Sequence, residues 1–262
     1  VSYANADMAN YCLAAERFAT QGFYAVPTMA ALAGRDYPSY FFFMHVADMM
    51  RFGAEHVVAW AASLVHKKAT EAFMPAILAL ALTQLCGASA LALYHGRHRR
   101  LALGTAFVLA ASPLFMLGTL YQLIAQVGGM ALQLVTLALA TRAWGSRVRR
   151  PDAIRHAALV AIAGTGLCMF YPETTPFTVV TYLGYIALAL LRRRLTPAAV
   201  VGLTAYTLLG VVLLLRHNLI SYISVLVMQL GSAMSSANLL FSLFPYFLLP
   251  TGFSNLFGWL PI

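Results

Sequence analysis

The chain has 262 residues, of which 61% are hydrophobic and only 10% are charged, and its mean hydropathy is +0.77. An ordinary soluble domain carries about 25% charged residues, so this composition excludes a soluble enzyme, a disordered chain and a disulfide-rich scaffold. We predict an all-α, polytopic helical membrane protein. Its parts are a non-cytoplasmic polar segment, residues 1–73, a transmembrane core, residues 74–216, and an apolar segment, residues 217–262.

The net charge of +9 is unevenly distributed along the chain. Residues 1–71 hold six acids and five bases, whereas residues 72–262 hold twelve bases and only two acids, Asp152 and Glu173. Eleven of those twelve bases fall in three short clusters between apolar runs, which is typical of membrane topology. The basic residues therefore predict orientation, and we expect membrane lipids, and no nucleic acid, as partners.

The first predicted element is a short polar helix. Asn5 is suited to cap a helix over residues 6–20, with Gly22 as its stop signal. The chain opens at Val1 without an initiator methionine and closes without a polar tail. We therefore expect the sequence to be an excerpt of a longer protein.

The rest of the polar segment is expected to lie at the membrane surface. Residues 36–44 form an aromatic belt of the kind found at headgroup level. Residues 45–65 then predict an interfacial helix, in which Arg51 is spaced for same-face pairs with Asp48 and Glu55.

Six apolar runs follow, and a spanning helix needs about 17 to 25 mostly apolar residues. The third and fifth runs are short, so their flanking arginines are expected to snorkel to the interface. We predict six spanning helices, at residues 74–94, 101–120, 127–141, 156–170, 177–191 and 197–215.

The loops between these runs alternate in charge. The loops after the first, third and fifth runs contain three, five and three arginines, whereas the loops after the second and fourth contain none. The positive-inside rule then predicts that residues 1–73 and 217–262 are non-cytoplasmic, in an inner or plasma membrane whose active face is non-cytoplasmic. Residues 217–262 hold either one more crossing or two surface helices.

Asp7 is the first candidate for chemistry. It lies in the first turn of the predicted helix, with Asn10 and Tyr11 on the same face. The helix macrodipole favours an acid at this position, which is a purely structural explanation. A carboxylate beside the membrane surface is also suited to act as a general base toward an acceptor hydroxyl. Both interpretations stay open.

Glu173 is the second candidate. It lies between Pro172 and Pro176 in a tight turn joining two apolar runs, and no other acid near the predicted outer face follows residue 71. Acids near membrane depth are costly and usually functional, but the two prolines also fit an ordinary solvated turn. The two readings are evenly matched.

Three basic residues are candidates for binding a lipid phosphate, and the histidines are candidates for binding a metal ion. Lys67, Lys68 and Arg216 lie on the predicted outer side, where they contact lipid headgroups or bind a lipid phosphate or diphosphate. The histidines are spaced by eleven and ten residues, which does not fit the i, i+4 pattern of helical metal ligands, so no metal site is predicted from His45, His56 and His66. The three cysteines predict neither a disulfide framework nor a zinc site.

The start of the chain resembles a known family. An acid in a first outer loop followed by a tyrosine and small residues, as in Asp7, Tyr11, Ala14 and Ala15 before Gly22, resembles the start of GT-C fold membrane glycosyltransferases. The alternation of the later helices is similar to helices two to seven of that family. The likeness is one of topology over nearly the whole chain and of motif over about twenty residues.

This resemblance implies a function. The chain would transfer a sugar from a polyprenyl-phosphate-linked donor in the cell envelope, with inversion. Asp7 would be the general base and Glu173 a second acid, while Arg216 or Lys67 and Lys68 would face the donor phosphate. No second acid accompanies Asp7 as a pair, so the cofactor is unknown and a divalent cation is possible. The sequence predicts no particular sugar, acceptor or oligomeric state.

A transporter or flippase of a lipid-linked substrate is the alternative function. Transporters tend to carry sequence repeats and charged or Gly/Pro-broken segments at mid-membrane. The apolar runs here are almost free of ionisable residues, which favours the enzyme.

Overall fold

The computed structural model describes residues 6–22, 25–34, 36–43, 52–96, 98–144, 150–192, 195–216, 218–220 and 222–227, and within these ranges all regular structure is helical. A 3₁₀ turn, Pro172–Thr174, separates two of the helices. Among the described residues the helices with defined bounds are α1 (Ala6–Gln21), α2 (Met29–Ala33), α3 (Tyr37–Phe42), α4 (Gly53–Val65), α5 (Ala69–Gly96), α6 (Arg99–Ala110), α7 (Pro113–Leu120), α8 (Ile124–Trp144), α9 (Arg150–Phe170), α10 (Thr175–Leu191) and α11 (Pro197–Leu215), and residues 222–227 are also helical.

The first four helices form a layer, which we call the α1–α4 layer. Helix α1 ends where Gly22 adopts a positive φ of 75° and donates its N–H to the carbonyl of Phe18, which confirms the predicted stop. Asn5, the predicted cap, lies outside the described residues. Helix α1 packs against α3, α4 and α5.

Helix α4 confirms that the C-terminal part of the predicted segment 45–65 is helical, while its position at the membrane surface stays a prediction. It ends at His66, whose φ of 53° is left-handed, and Lys67 donates its N–H back to the carbonyl of Ala62. The predicted residues 45–51, including the pair of Asp48 with Arg51, lie outside the described part of the chain. Trp60 and Leu64 stay exposed opposite the packed face, as expected for a helix at a membrane surface.

The remaining helices form a bundle, and a few contacts show in which direction each helix runs. Gln122, just before α8, donates its Nε2 to the Sδ of Met74 near the start of α5, and further along both helices a Cβ on Gly87 would lie 3.1 Å from the Cβ of Leu134. Helices α5 and α8 are therefore parallel, and the chain must return between them. Helices α6 and α7 together make that return, with a break at Ala111 and Ser112.

The later helices continue up and down. Helix α9 is antiparallel to α8, because Gly128 meets Phe170 while Gly166 lies near Leu132. Helix α10 returns beside α8, where the Tyr185 hydroxyl donates to the carbonyl of Thr141 (3.3 Å). Helix α11 packs along α9, with Gly210 against Ala161.

The bundle thus has two distinct ends. The layer end holds the starts of α5, α8 and α10 and the ends of α7, α9 and α11, and the α1–α4 layer packs there. The opposite end holds the helix termini that flank the three arginine-rich connections predicted from the sequence.

The prediction of six spanning helices is confirmed only in part. Among the described residues, four helical segments are long and apolar enough to cross a membrane: Ala69–Tyr94, Ile124–Thr141, Asp152–Phe170 and Pro172–Leu191. The predicted second span, residues 101–120, is divided into two short helices. The sixth contains a shorter apolar helix, Ala199–Leu215. The six-span count is therefore not confirmed.

Candidate active site

The layer end is organised around the side chain of Phe170. Its ring fills the space that a Cβ would need on Gly128, with ring atoms as near as 2.1 Å, and a Cβ on Gly53 would lie 2.9 Å from the same ring. Tyr171 packs in the same way over Gly129. The absence of side chains at these three glycines lets the starts of α4 and α8 approach the turn between α9 and α10.

This turn holds Glu173 in a defined position. Pro172 is fully buried, and the N–H and hydroxyl of Thr174 both donate to the carbonyl of Tyr171, at 3.2 and 2.9 Å. Glu173 itself is half-buried, and its Oε2 is shielded from solvent. A freely solvated turn carboxylate, one of the two interpretations offered by the sequence, does not describe this arrangement.

Asp7 lies in the first turn of α1, but its side chain is outside what the structure describes. Its helix contributes Tyr11, Cys12 and Phe18 to the apolar cluster that also contains Phe170. Helix α1 and the turn carrying Glu173 therefore share one core. That the Asp7 and Glu173 carboxylates approach one cavity opening to the non-cytoplasmic face, within roughly 15 Å of each other, stays a prediction.

Glu55 is an acid that the sequence reasoning did not select. It lies in the first turn of α4 and is 0% exposed. Gly53, two residues before Glu55, brings the start of α4 against Phe170, the residue that ends α9 just before the turn of Glu173. The signal was present in the sequence: Glu55 continues the apolar stripe of Val58, Ala59 and Ala62, at spacings of i+3, i+4 and i+7.

Arg17 is a second buried charge that the sequence reasoning missed. It is 4% exposed, and its Nη1 donates to the Ser39 hydroxyl at 2.7 Å and to the side chain of Gln21. Its Nη2 donates to the carbonyl of Ala25 at 2.7 Å. Ser39 in turn donates to Asp36. This network anchors residues 25–43 on α1.

The predicted phosphate-binding residues also belong to the layer end. Lys67 and Lys68 are exposed just before α5 begins, and Arg216 is exposed just after α11 ends. Lys67 forms an exposed ion pair with Glu71 at 3.7 Å. These cations are therefore accessible to a ligand at the surface of the layer end.

The sulfur and imidazole groups of the α1–α4 layer have structural roles. Burial raises the pKa of Cys12 to about 12, with a further contribution from Glu16, so its thiol stays neutral. The His56 ring packs on Phe18 at 4.3 Å, and its Nδ1 lies 3.0 Å from the carbonyl of Phe52.

No group of three potential metal ligands occurs within the described ranges, and His45 lies outside them.

Comparisons of the chain with models of protein families, with curated proteins and with solved structures found no match.

Proposed function

We propose that the chain is a membrane glycosyltransferase that moves a sugar from a polyprenyl-phosphate donor to an acceptor on the non-cytoplasmic face. The observation that supports this most is that three acid-bearing segments meet at the layer end. Helix α1 with Asp7, the start of α4 with Glu55 and the turn with Glu173 all pack into or around the core built on Phe170. The arginine-rich connections flank the other end, which fits a non-cytoplasmic layer.

In the proposed reaction Asp7 acts as the base. Its carboxylate accepts the proton of the acceptor hydroxyl while the acceptor oxygen bonds to the anomeric carbon from the face opposite the leaving group. The bond from that carbon to the phosphate oxygen breaks, and the lipid phosphate leaves with the electron pair. Since the phosphate is a good leaving group, positioning, a base and nearby positive charge are sufficient.

The exposed cations supply that positive charge. Lys67 and Lys68 are exposed and follow α4, whose Trp60 and Leu64 are also exposed. In this proposal that surface meets the lipid headgroups, where the two lysines reach the donor phosphate. Arg216 leaves the bundle at the same end. Each of them stabilises the departing phosphate by charge-assisted hydrogen bonds.

The first prediction concerns Asp7. We expect Asp7→Asn to lower the transfer rate by about 10² to 10⁴, the usual contribution of a general base, while donor binding and folding stay nearly unchanged. The assay uses the full-length protein in proteoliposomes with radiolabelled polyprenyl-phosphate sugar. Asp152→Asn is the matched control, because Asp152 is exposed at the start of α9, at the opposite end of the bundle. This variant should transfer sugar at the normal rate. A normal rate for Asp7→Asn would exclude Asp7 as the base and make Glu173 the next acid to test.

A second candidate function, a flippase of a lipid-linked substrate, has one observation in its favour. Helices α6 and α7, which connect α5 to α8, are separated by a break at Ala111 and Ser112. Discontinuous helices near the bilayer midplane are typical of transporters. If the unmutated full-length protein transfers no sugar from a panel of donors but moves a labelled donor between leaflets, the flippase replaces the enzyme.

A further inference from the structure

A laterally open groove of about 660 Å³ lies between α5, α6 and α8, away from the candidate active site. Its volume falls within the range of about 300 to 1,000 Å³ typical of ligand sites, and such sites combine an apolar wall with a few polar groups. Most of the wall is hydrophobic and is formed by Leu101, Val108, Leu109, Met130 and Leu134.

A cation lies at one end of this groove. Arg100, the second residue of α6, is exposed and is the one charged side chain among the described residues that line the groove. It belongs to the end of the bundle opposite the α1–α4 layer. The groove therefore begins at the arginine-rich end, where an anionic group of a ligand would find a partner.

The other end of the groove is polar and buried. Gln84 is 1% exposed, and its Nε2 has no hydrogen-bond acceptor in the described part of the chain. Ser112 and Gln133 also line the groove. Because α5 and α6 are antiparallel from the contact of Gly96 with Leu101 onward, Gln84 lies across from Ser112, near the far end of α6.

The distance between the two ends is set by α6. Its 12 residues extend about 18 Å, at about 1.5 Å a residue, which is close to half of the hydrocarbon thickness of about 30 Å. A buried amide without an acceptor is costly. A ligand with a hydrogen-bond acceptor at this depth would remove that cost.

We propose that the groove binds an anionic lipid whose chain carries a hydroxyl or carbonyl oxygen. The anionic group pairs with Arg100, the chain follows the apolar wall, and the oxygen accepts a hydrogen bond from Gln84. A plain hydrocarbon chain would leave the Gln84 amide without an acceptor, so the groove discriminates between the two kinds of chain. This site is independent of the proposed transferase function.

The test compares oleate with ricinoleate, which differ by one mid-chain hydroxyl, on the purified full chain in detergent. We expect ricinoleate to bind about two- to tenfold more tightly, the usual effect of one hydrogen bond. Gln84→Leu should abolish this preference, whereas Arg100→Gln should weaken both fatty acids about equally. Arg192→Gln, at the same end but outside the groove lining, should change neither.

Several outcomes would overturn the proposal. Equal binding of the two fatty acids by the unmodified protein would do so, as would an equal weakening of both by Gln84→Leu. A loss of binding in Arg192→Gln as large as in Arg100→Gln would show attraction by net charge alone. The ligand-free Gln84→Leu variant should melt no lower than the unmodified protein, because leucine removes an unpaired donor. A clearly lower melting temperature would show that the amide is satisfied within the protein, which also contradicts the proposal.

Discussion

The α1–α4 layer and the bundle below it distribute polarity in opposite ways. In the layer, the charges of Arg17 and Glu55 are buried while Trp60 and Leu64 are exposed. In the bundle, buried contacts are made by small residues such as Gly128 and Gly210, and large apolar side chains point outward. Only 17% of the Pro172–Leu191 span is buried, against 56% of Ile124–Thr141, so α10 lies at the periphery and α8 at the centre.

The difference teaches which force holds each part together. Apolar burial does not drive helices together within lipid, so the bundle depends on close approach at small residues. None of the described helices of the layer is long and apolar enough to span a membrane, and hydrogen bonds from the buried Arg17 attach Ser39 and Ala25 to α1. Substitutions in the two parts should therefore change stability through different mechanisms. The three substitutions below test this, from the largest expected loss of stability to the smallest.

The largest effect is expected from Arg17→Leu. It removes the guanidinium that donates to Ser39, Gln21 and the carbonyl of Ala25, and that stacks 4.9 Å from the ring centroid of Phe42. Leaving buried acceptors such as the Ser39 hydroxyl without their donor costs about 1 to 3 kcal/mol for each acceptor. Thermal unfolding of the purified protein in detergent should show a clearly lower melting temperature. Arg192→Leu, an exposed arginine, is the control, and equal melting temperatures for the two variants would refute a structural role of the network.

A smaller effect is expected from Gly128→Ala in the bundle. The added Cβ would lie 2.1 Å from a ring atom of Phe170, so the ring must move, and such overpacking costs about 1 to 3 kcal/mol. Gly184→Ala is the matched control, because a Cβ there meets no atom within 4 Å among the described residues, and alanine in a helix is favoured over glycine by about 0.5 to 1 kcal/mol. The two melting temperatures should move in opposite directions. A shift of the same sign for both would mean that close packing does not govern this contact.

The smallest effect is expected from Lys67→Ala. Lys67 and Glu71 pair at 3.7 Å, but their side chains are 62% and 53% exposed, and such surface pairs contribute about 0 to 1 kcal/mol. The melting temperature should be nearly unchanged at low and at high salt. A loss approaching that of Arg17→Leu would erase the distinction between buried and exposed charges on which the comparison depends.

The sequence by itself determined the class of the fold and the order of its helices. Apolar runs of spanning length need only local composition to be identified, and backbone groups in lipid must be satisfied within a helix. Helices α8, α10 and α11 were therefore predicted to within about three residues of their ends, whereas α5 and α9 begin about five and six residues earlier than predicted. Gly22 stopped α1 as expected because a positive φ is a local property of glycine.

Only the tertiary structure decided which residues meet. The break at Ala111 and Ser112 is an exception, because it directly precedes Pro113, the first residue of α7, and is a local signal that the prediction of one span over residues 101–120 did not use. Glu55 and Arg17 were read as ordinary charges, and their burial depends on which faces of α4 and α1 find partners. The contact of Gly53 and Gly128 with Phe170 joins positions far apart in the chain. Such long-range packing, and with it the approach of α4 and α8 to the turn of Glu173, is not encoded in any single segment.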